Sequence, residues 1–232
     1  MFPLRDDNPR RSFPKVCVAL IAVNVAVFLY QISLFAQSPE AAEAFIYGMG
    51  SVPARITESL AGRYPVDQSF PGLLTSIFLH GGWAHLIGNM WFLWIFGDNI
   101  EDQLGHGKFV VFYLVCGVLA SVIHFAFNPF SNVPAVGASG AISGVMGAYL
   151  VRFPHARVTT LVVLFIIITR VELPAGVMLA YWFLIQFLSG AGSIGAEGGG
   201  VAWWAHIGGF AVGALWMWNR RSGRGRRVRR LS

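Results

Sequence analysis

Charge is scarce in this sequence. Asp, Glu, Lys and Arg make up 12% of its 232 residues and 55% are hydrophobic, whereas about a quarter of an ordinary soluble domain is charged. That shortage excludes a soluble globular surface and makes the bilayer the fitting solvent. Cysteine is nearly missing too. Cys17 and Cys116 fall in separate apolar runs, so no disulfide framework is indicated and both read as small hydrophobes in a core. No HExxH motif is present, and His80 and His85 stand five apart, a poor spacing for one helix face, so no metal or other cofactor is expected. Carboxylates are lacking in the interiors of the apolar runs, which disfavours a transporter built on midplane charge. The first apolar run lacks a convincing small-residue cleavage site after it and reads as an anchor, not a signal peptide.

What the chain does have is apolar length. Uncharged stretches cover 16–36, 83–97, 109–127, 136–151, 159–169, 173–188 and 202–218, and a spanning helix needs about 20 mostly apolar residues. Basic residues near helix ends collect on the cytoplasmic side. Arg5, Arg10, Arg11 and Lys15 lie at one end and the seven arginines of "RRSGRGRRVRR" at the other, so both termini are expected inside and the number of crossings even. The stretch 159–169 is the weakest candidate, being short, rich in β-branched residues and bounded by Arg157 and Arg170; it reads as an interfacial or extended segment at the cytoplasmic face.

The expectation is an all-α polytopic membrane protein with six transmembrane helices. Fifteen of its 17 basic residues then lie inside, and only Arg55 and Arg63 outside. A cytoplasmic segment 1–15 precedes a six-helix domain 16–219, and an Arg-rich cytoplasmic tail 220–232 follows. Topology and anionic lipid headgroups account for the tail and the net charge of +6, so no nucleic-acid partner is implied. The external loop 37–82 mixes prolines with aromatics, the composition of a structured interfacial loop. The stretch 189–201, dominated by glycine, is a candidate mobile lid.

Polar groups inside spanning segments are costly, so each one is a functional candidate. His85 and Asn89 stand four apart on one face of the second helix. Ser139 lies near the start of the fourth and His206 near the start of the sixth. The second, fourth and sixth helices run in the same direction, which places all four groups towards the external side. Taken singly, each reads as glue between helices; their coincidence at matching ends is what points to a site. Gly140/Gly144 and Gly209/Gly213 have the small-xxx-small spacing that lets backbones approach. The serine hydroxyl can then reach the imidazole at the roughly 2.6–3.2 Å a general base requires. In the first turn of its helix, Ser139 meets unpaired backbone N–H groups that suit an oxyanion, with Asn89 and His85 as side-chain donors. With Asp98, Glu101 and Asp102 all at the far end of the second helix, the pair is a Ser-His dyad.

The motifs "HGGWAHLIGNM", "GASGAISG" and "AHIGGFAVG", together with the turn "GDNIEDQLGHGK", resemble the rhomboid intramembrane serine proteases. The resemblance implies a six-helix rhomboid-like bundle, with Ser139 as nucleophile and His206 as general base. It assigns the oxyanion hole to Asn89, His85 and the Ser139 N–H, and the substrate to a single-span transmembrane protein entering from the side. It also has Gly137 lining the site beside the substrate backbone, His80 steadying the first loop and Glu101 anchoring the turn after the second helix. Two departures stand out. The Trp-Arg pair that well-known members carry in the first loop is replaced by "SFPGLLTSIFLHGG", and the aromatic four residues after the nucleophile is Ser143. Trp203 and Trp204 are the candidates to hold the His206 ring instead. The alternative is a catalytically silent relative that binds or escorts membrane proteins. A bacterial cytoplasmic membrane is the expected location, with membrane lipids as surroundings.

Overall fold

The computed structural model describes residues 1–164, 167–192 and 201–228. Helix α1 spans Lys15–Gln37. After it come α2 (Pro39–Met49), α3 (Pro53–Leu60), α4 (Val66–Ser69), α5 (Gly72–Thr75) and a 3-10 turn, Ser76–Phe78. The long helices α6 (Trp83–Leu104) and α7 (His106–Phe127) are separated only by Gly105, whose φ of +79° suits glycine. The centre and end of the chain supply α8 (Ser139–Arg152), α9 (Ala175–Gly192) and α10 (Trp203–Val228). Among the described residues α1, α7 and α9 are long and apolar enough to cross a membrane. Leu29 and Tyr30 on α1, Trp94 on α6, Val111 on α7 and Leu184 on α9 stand exposed, the pattern of helices whose outer faces meet lipid.

Helix α8 is the axis of the fold, buried from Gly140 to Tyr149. Small residues make that possible on two sides. A Cβ on Gly209 or Gly213 of α10 would run into the carbonyl of Gly140 or Gly144. A Cβ on Gly140 or Gly144 would in turn lie 2.7 Å from Ala120 or 2.6 Å from Cys116 on α7. The backbones are therefore about as close as glycine allows. Cys17 and Cys116 are free thiols buried in the same core.

The chain is mostly helical, yet it is not all-α. The segment expected to be interfacial or extended forms an antiparallel hairpin of β2 (Arg157–Leu164) and β3 (Ile167–Pro174), as its run of Val, Ile and Thr favours. A further strand, β1 (Phe2–Asp6), pairs antiparallel with β2 and completes a sheet of order β1-β2-β3. The first fifteen residues are thus docked. The Trp91 indole donates to the Pro3 carbonyl at 2.7 Å, Phe2 stacks on Trp91 at 5.8 Å, and the Tyr149 hydroxyl donates to the Asp6 carboxylate. Burial pushes the Asp6 carboxyl above its ordinary range, against the hydrogen bond from Tyr149. At the other end of the chain α10 runs unbroken through the expected boundary at 219/220 as far as Val228, and residues 229–232 lie outside the described residues.

Two clamps fix α1, one to α6 and one to the loop before it. At the first, Glu101 accepts from the backbone N–H of Val16 (3.0 Å) and Cys17 (2.8 Å), filling donors left open at the start of α1, and also meets His106 Nδ1 at 2.5 Å. At the second, the Gln31 side chain donates to the His80 carbonyl (3.2 Å) and accepts from the His80 N–H (3.1 Å). The loop 37–82 is accordingly ordered into short helices. Ser51 and Ala135 exchange backbone hydrogen bonds, and the Thr57 hydroxyl donates to the Pro129 carbonyl.

Candidate active site

Ser139 is the first residue of α8, after Ala138 in the capping position. Its position follows from Gly137, whose φ of +126° turns the chain sharply into the helix and whose N–H is fixed to the Ser76 carbonyl at 2.9 Å. The close α8–α10 contact does the rest: the Ser139 hydroxyl lies 2.8 Å from His206 Nε2. That is within reach for proton transfer to a general base. The first-turn N–H groups of α8 point out of the same helix end, where the dipole is positive.

These groups open into a cavity of about 720 Å³ bounded by α6, α8, α9 and the start of α10, whose lining includes His85, Asn89, Ser139 and His206. Its deeper wall is apolar, with Phe92, Ile142, Met146 and Trp182. All four polar residues expected to cooperate are thus brought together. The Asn89 amide donates to the His85 carbonyl at 3.0 Å, one turn back along α6, which fixes its side chain at the cavity wall. The His85 ring meets the His80 ring edge-on at 5.2 Å and its Nδ1 accepts from the Gly81 N–H at 3.4 Å.

Gly137 lines a second cavity, of about 20 Å³, which Ser139, Ser121 and His124 also border, a space for about one water. A Cβ at Gly137 would come within 2.7 Å of His85 Cε1, so the missing side chain is what seats the His85 ring. His80 is buried, and among the described residues neither of its ring nitrogens has a hydrogen-bond partner. Burial, and secondarily the neighbouring His85, lower its pKa to about 4.

The holding of His206 differs most from expectation. Ser143 turns away and donates to the Ser139 carbonyl at 2.6 Å. Trp204 lies flat against Phe127 at 3.9 Å, and Trp203 meets the imidazole edge-on at 6.2 Å. The closest partner is Gln186 of α9, whose Oε1 is 2.6 Å from His206 Nδ1, and Trp182, one turn earlier on α9, lies 5.9 Å from the ring. Neither residue stood out in the sequence. The available signal was an amide inside an otherwise apolar run, four residues after a tryptophan, on the same helix face. The candidate lid 189–201 lies largely outside the described residues, which resume at Val201.

A rhomboid domain profile matches residues 67–222. Among curated proteins, the chain is similar to rhomboid protease GluP of Bacillus subtilis, 46% identical over 78 residues, covering 34% of this chain and 15% of that protein. It is 30% identical over 150 residues to the mitochondrial rhomboid protein 1 of Saccharomyces cerevisiae, covering 63% and 40%. To RHOMBOID-like protein 4 of Arabidopsis thaliana it is 28% identical over 229 residues, covering 89% and 52%. The match thus spans about half or less of each relative.

Proposed function

Because this chain belongs to the rhomboid family of integral membrane proteins, we propose that it is an intramembrane serine endopeptidase acting on single-span transmembrane proteins. The observation that carries the reading is the 2.8 Å contact between Ser139 Oγ and His206 Nε2 at the edge of a cavity. Ser139 Oγ attacks the scissile carbonyl carbon while its proton passes to His206 Nε2. The negative charge on the carbonyl oxygen is met by the N–H groups opening α8, with Asn89 and His85 as side-chain donors. Donors already in place in a dry site stabilise such an oxyanion by a few kcal/mol each. The imidazolium then gives its proton to the leaving amine, and water hydrolyses the acyl-enzyme by the reverse sequence.

Six crossings, by α1 and α6 to α10, with both termini in the cytoplasm, place the dyad towards the external side and its substrate within the bilayer. The cavity between α6 and α9 suits an extended segment with apolar side chains, as its deeper wall is apolar. The test is purified protein in detergent or vesicles with a single-span substrate. Wild type cleaves, while Ser139→Ala and His206→Ala lose cleavage. Retained cleavage in either variant overturns the dyad. Failure of the wild type on a panel of single-span substrates would instead support a silent member that binds membrane proteins.

A further inference from the structure

A histidine serves as general base only when its proton-free nitrogen faces the nucleophile. In a neutral imidazole that choice of tautomer is set by the partner of the other nitrogen. Here the partner is not a carboxylate. Gln186 Oε1 lies 2.6 Å from Nδ1, and an amide oxygen only accepts. The proton therefore sits on Nδ1 and the Nε2 lone pair faces Ser139 at 2.8 Å.

We propose that Gln186 is a positioning residue that completes a Ser139–His206–Gln186 triad, a role that rests on the proteolytic reading above. Three features support it. Gln186 is buried on a mostly apolar helix that carries no charged residue, where an amide is costly unless it is hydrogen-bonded. The position four after the nucleophile, Ser143, is turned to its own helix backbone and gives the imidazole nothing. Trp182, one turn before Gln186 on the same face, borders the ring at 5.9 Å and limits its rotation. A neutral acceptor also differs in kind from the acid of a Ser-His-Asp triad. It fixes the tautomer without a negative charge to stabilise the imidazolium.

The test compares Gln186→Leu, Gln186→Met and Gln186→Glu with wild type on one single-span substrate, measuring kcat, KM and the pH profile. Thermal unfolding in detergent identifies folded variants. Both apolar variants are expected to lose kcat by about 100-fold, part of what a positioned base contributes, with KM little changed. Gln186→Glu restores an acceptor on Nδ1 and adds a charge. It is expected to recover much of the lost kcat at alkaline pH, with the acidic limb of the profile moved upward because the carboxylate favours the imidazolium. Wild-type kcat and profile in a folded apolar variant overturn the proposal. So does a folded Gln186→Glu that is as slow as Gln186→Leu with the acidic limb unmoved. The Ser139→Ala control separates the two readings: cleavage surviving it defeats the protease mechanism itself, whereas cleavage that needs Ser139 but ignores Gln186 defeats only the triad.

Discussion

At Gly137 one missing methyl group serves two purposes. The backbone there has φ +126°, a conformation L residues rarely adopt, and the vacant Cβ position is filled by the edge of the His85 ring. Gly137→Ala is expected to cost roughly 1–3 kcal/mol in stability from backbone strain. It should also displace His85, lowering kcat more than it raises KM; a thermal midpoint in detergent and steady-state cleavage measure the two effects. Neighbouring residues show how far single positions can be read. Ser139 and His206 were legible because a hydroxyl and an imidazole at matching ends of apolar helices demand an explanation. Gln186 was not. An uncharged amide leaves a run apolar, and its partner lies 20 residues away on another helix. Gly137 was legible as a site glycine, but the object occupying its space, His85, follows only from the folded geometry.

Between elements, the decisive contact is the one between α8 and α10, where Gly213 passes over the Gly144 carbonyl and Gly209 over that of Gly140. A side chain at either position has no space to enter, so the helices must part. Gly209→Val is expected to destabilise the protein by about 1–3 kcal/mol, the usual cost of overpacking. It also lengthens the Ser139–His206 contact, so cleavage should fall further than stability alone predicts. Circular dichroism during heating, alongside cleavage at a temperature where the variant is folded, checks both. The glycine spacing announced this interface in advance. The sheet was only half visible: β-branched residues marked 159–169 as interfacial or extended, but not its division into two paired strands. The five residues of β1 include a proline and are too few to show a strand's alternation, and their partner is remote in sequence.

For the molecule as a whole, acid has opposite effects at two places. His80, in the loop before α6, has its pKa lowered from 6.5 to about 4, so its contribution is fully present above 6.5 and is lost as pH falls towards 4. The full cost of protonating it in place is about 3 kcal/mol. Asp6 in β1 has its pKa raised above 3.8 by burial. Its contribution is fully present below that value and is lost as pH rises through the raised pKa. Acidification from pH 7 to 4.5 should therefore loosen the loop 37–82 and tighten β1. Hydrogen exchange of the two segments, read by mass spectrometry, checks this; β1 loosening together with the loop would contradict it, and Asp6→Asn should remove the response of β1.

The pairing of β1 with β2 also sets an order in time. Phe2 finds its partner at Leu161, so β1, once made, must wait for roughly 150 more residues. At about 5–20 residues per second that is on the order of ten seconds or more. Throughout that interval Phe2 lacks its β2 partner, and so does the rest of the strand. β1 therefore settles late, and its docking marks a chain whose α8 has already been made.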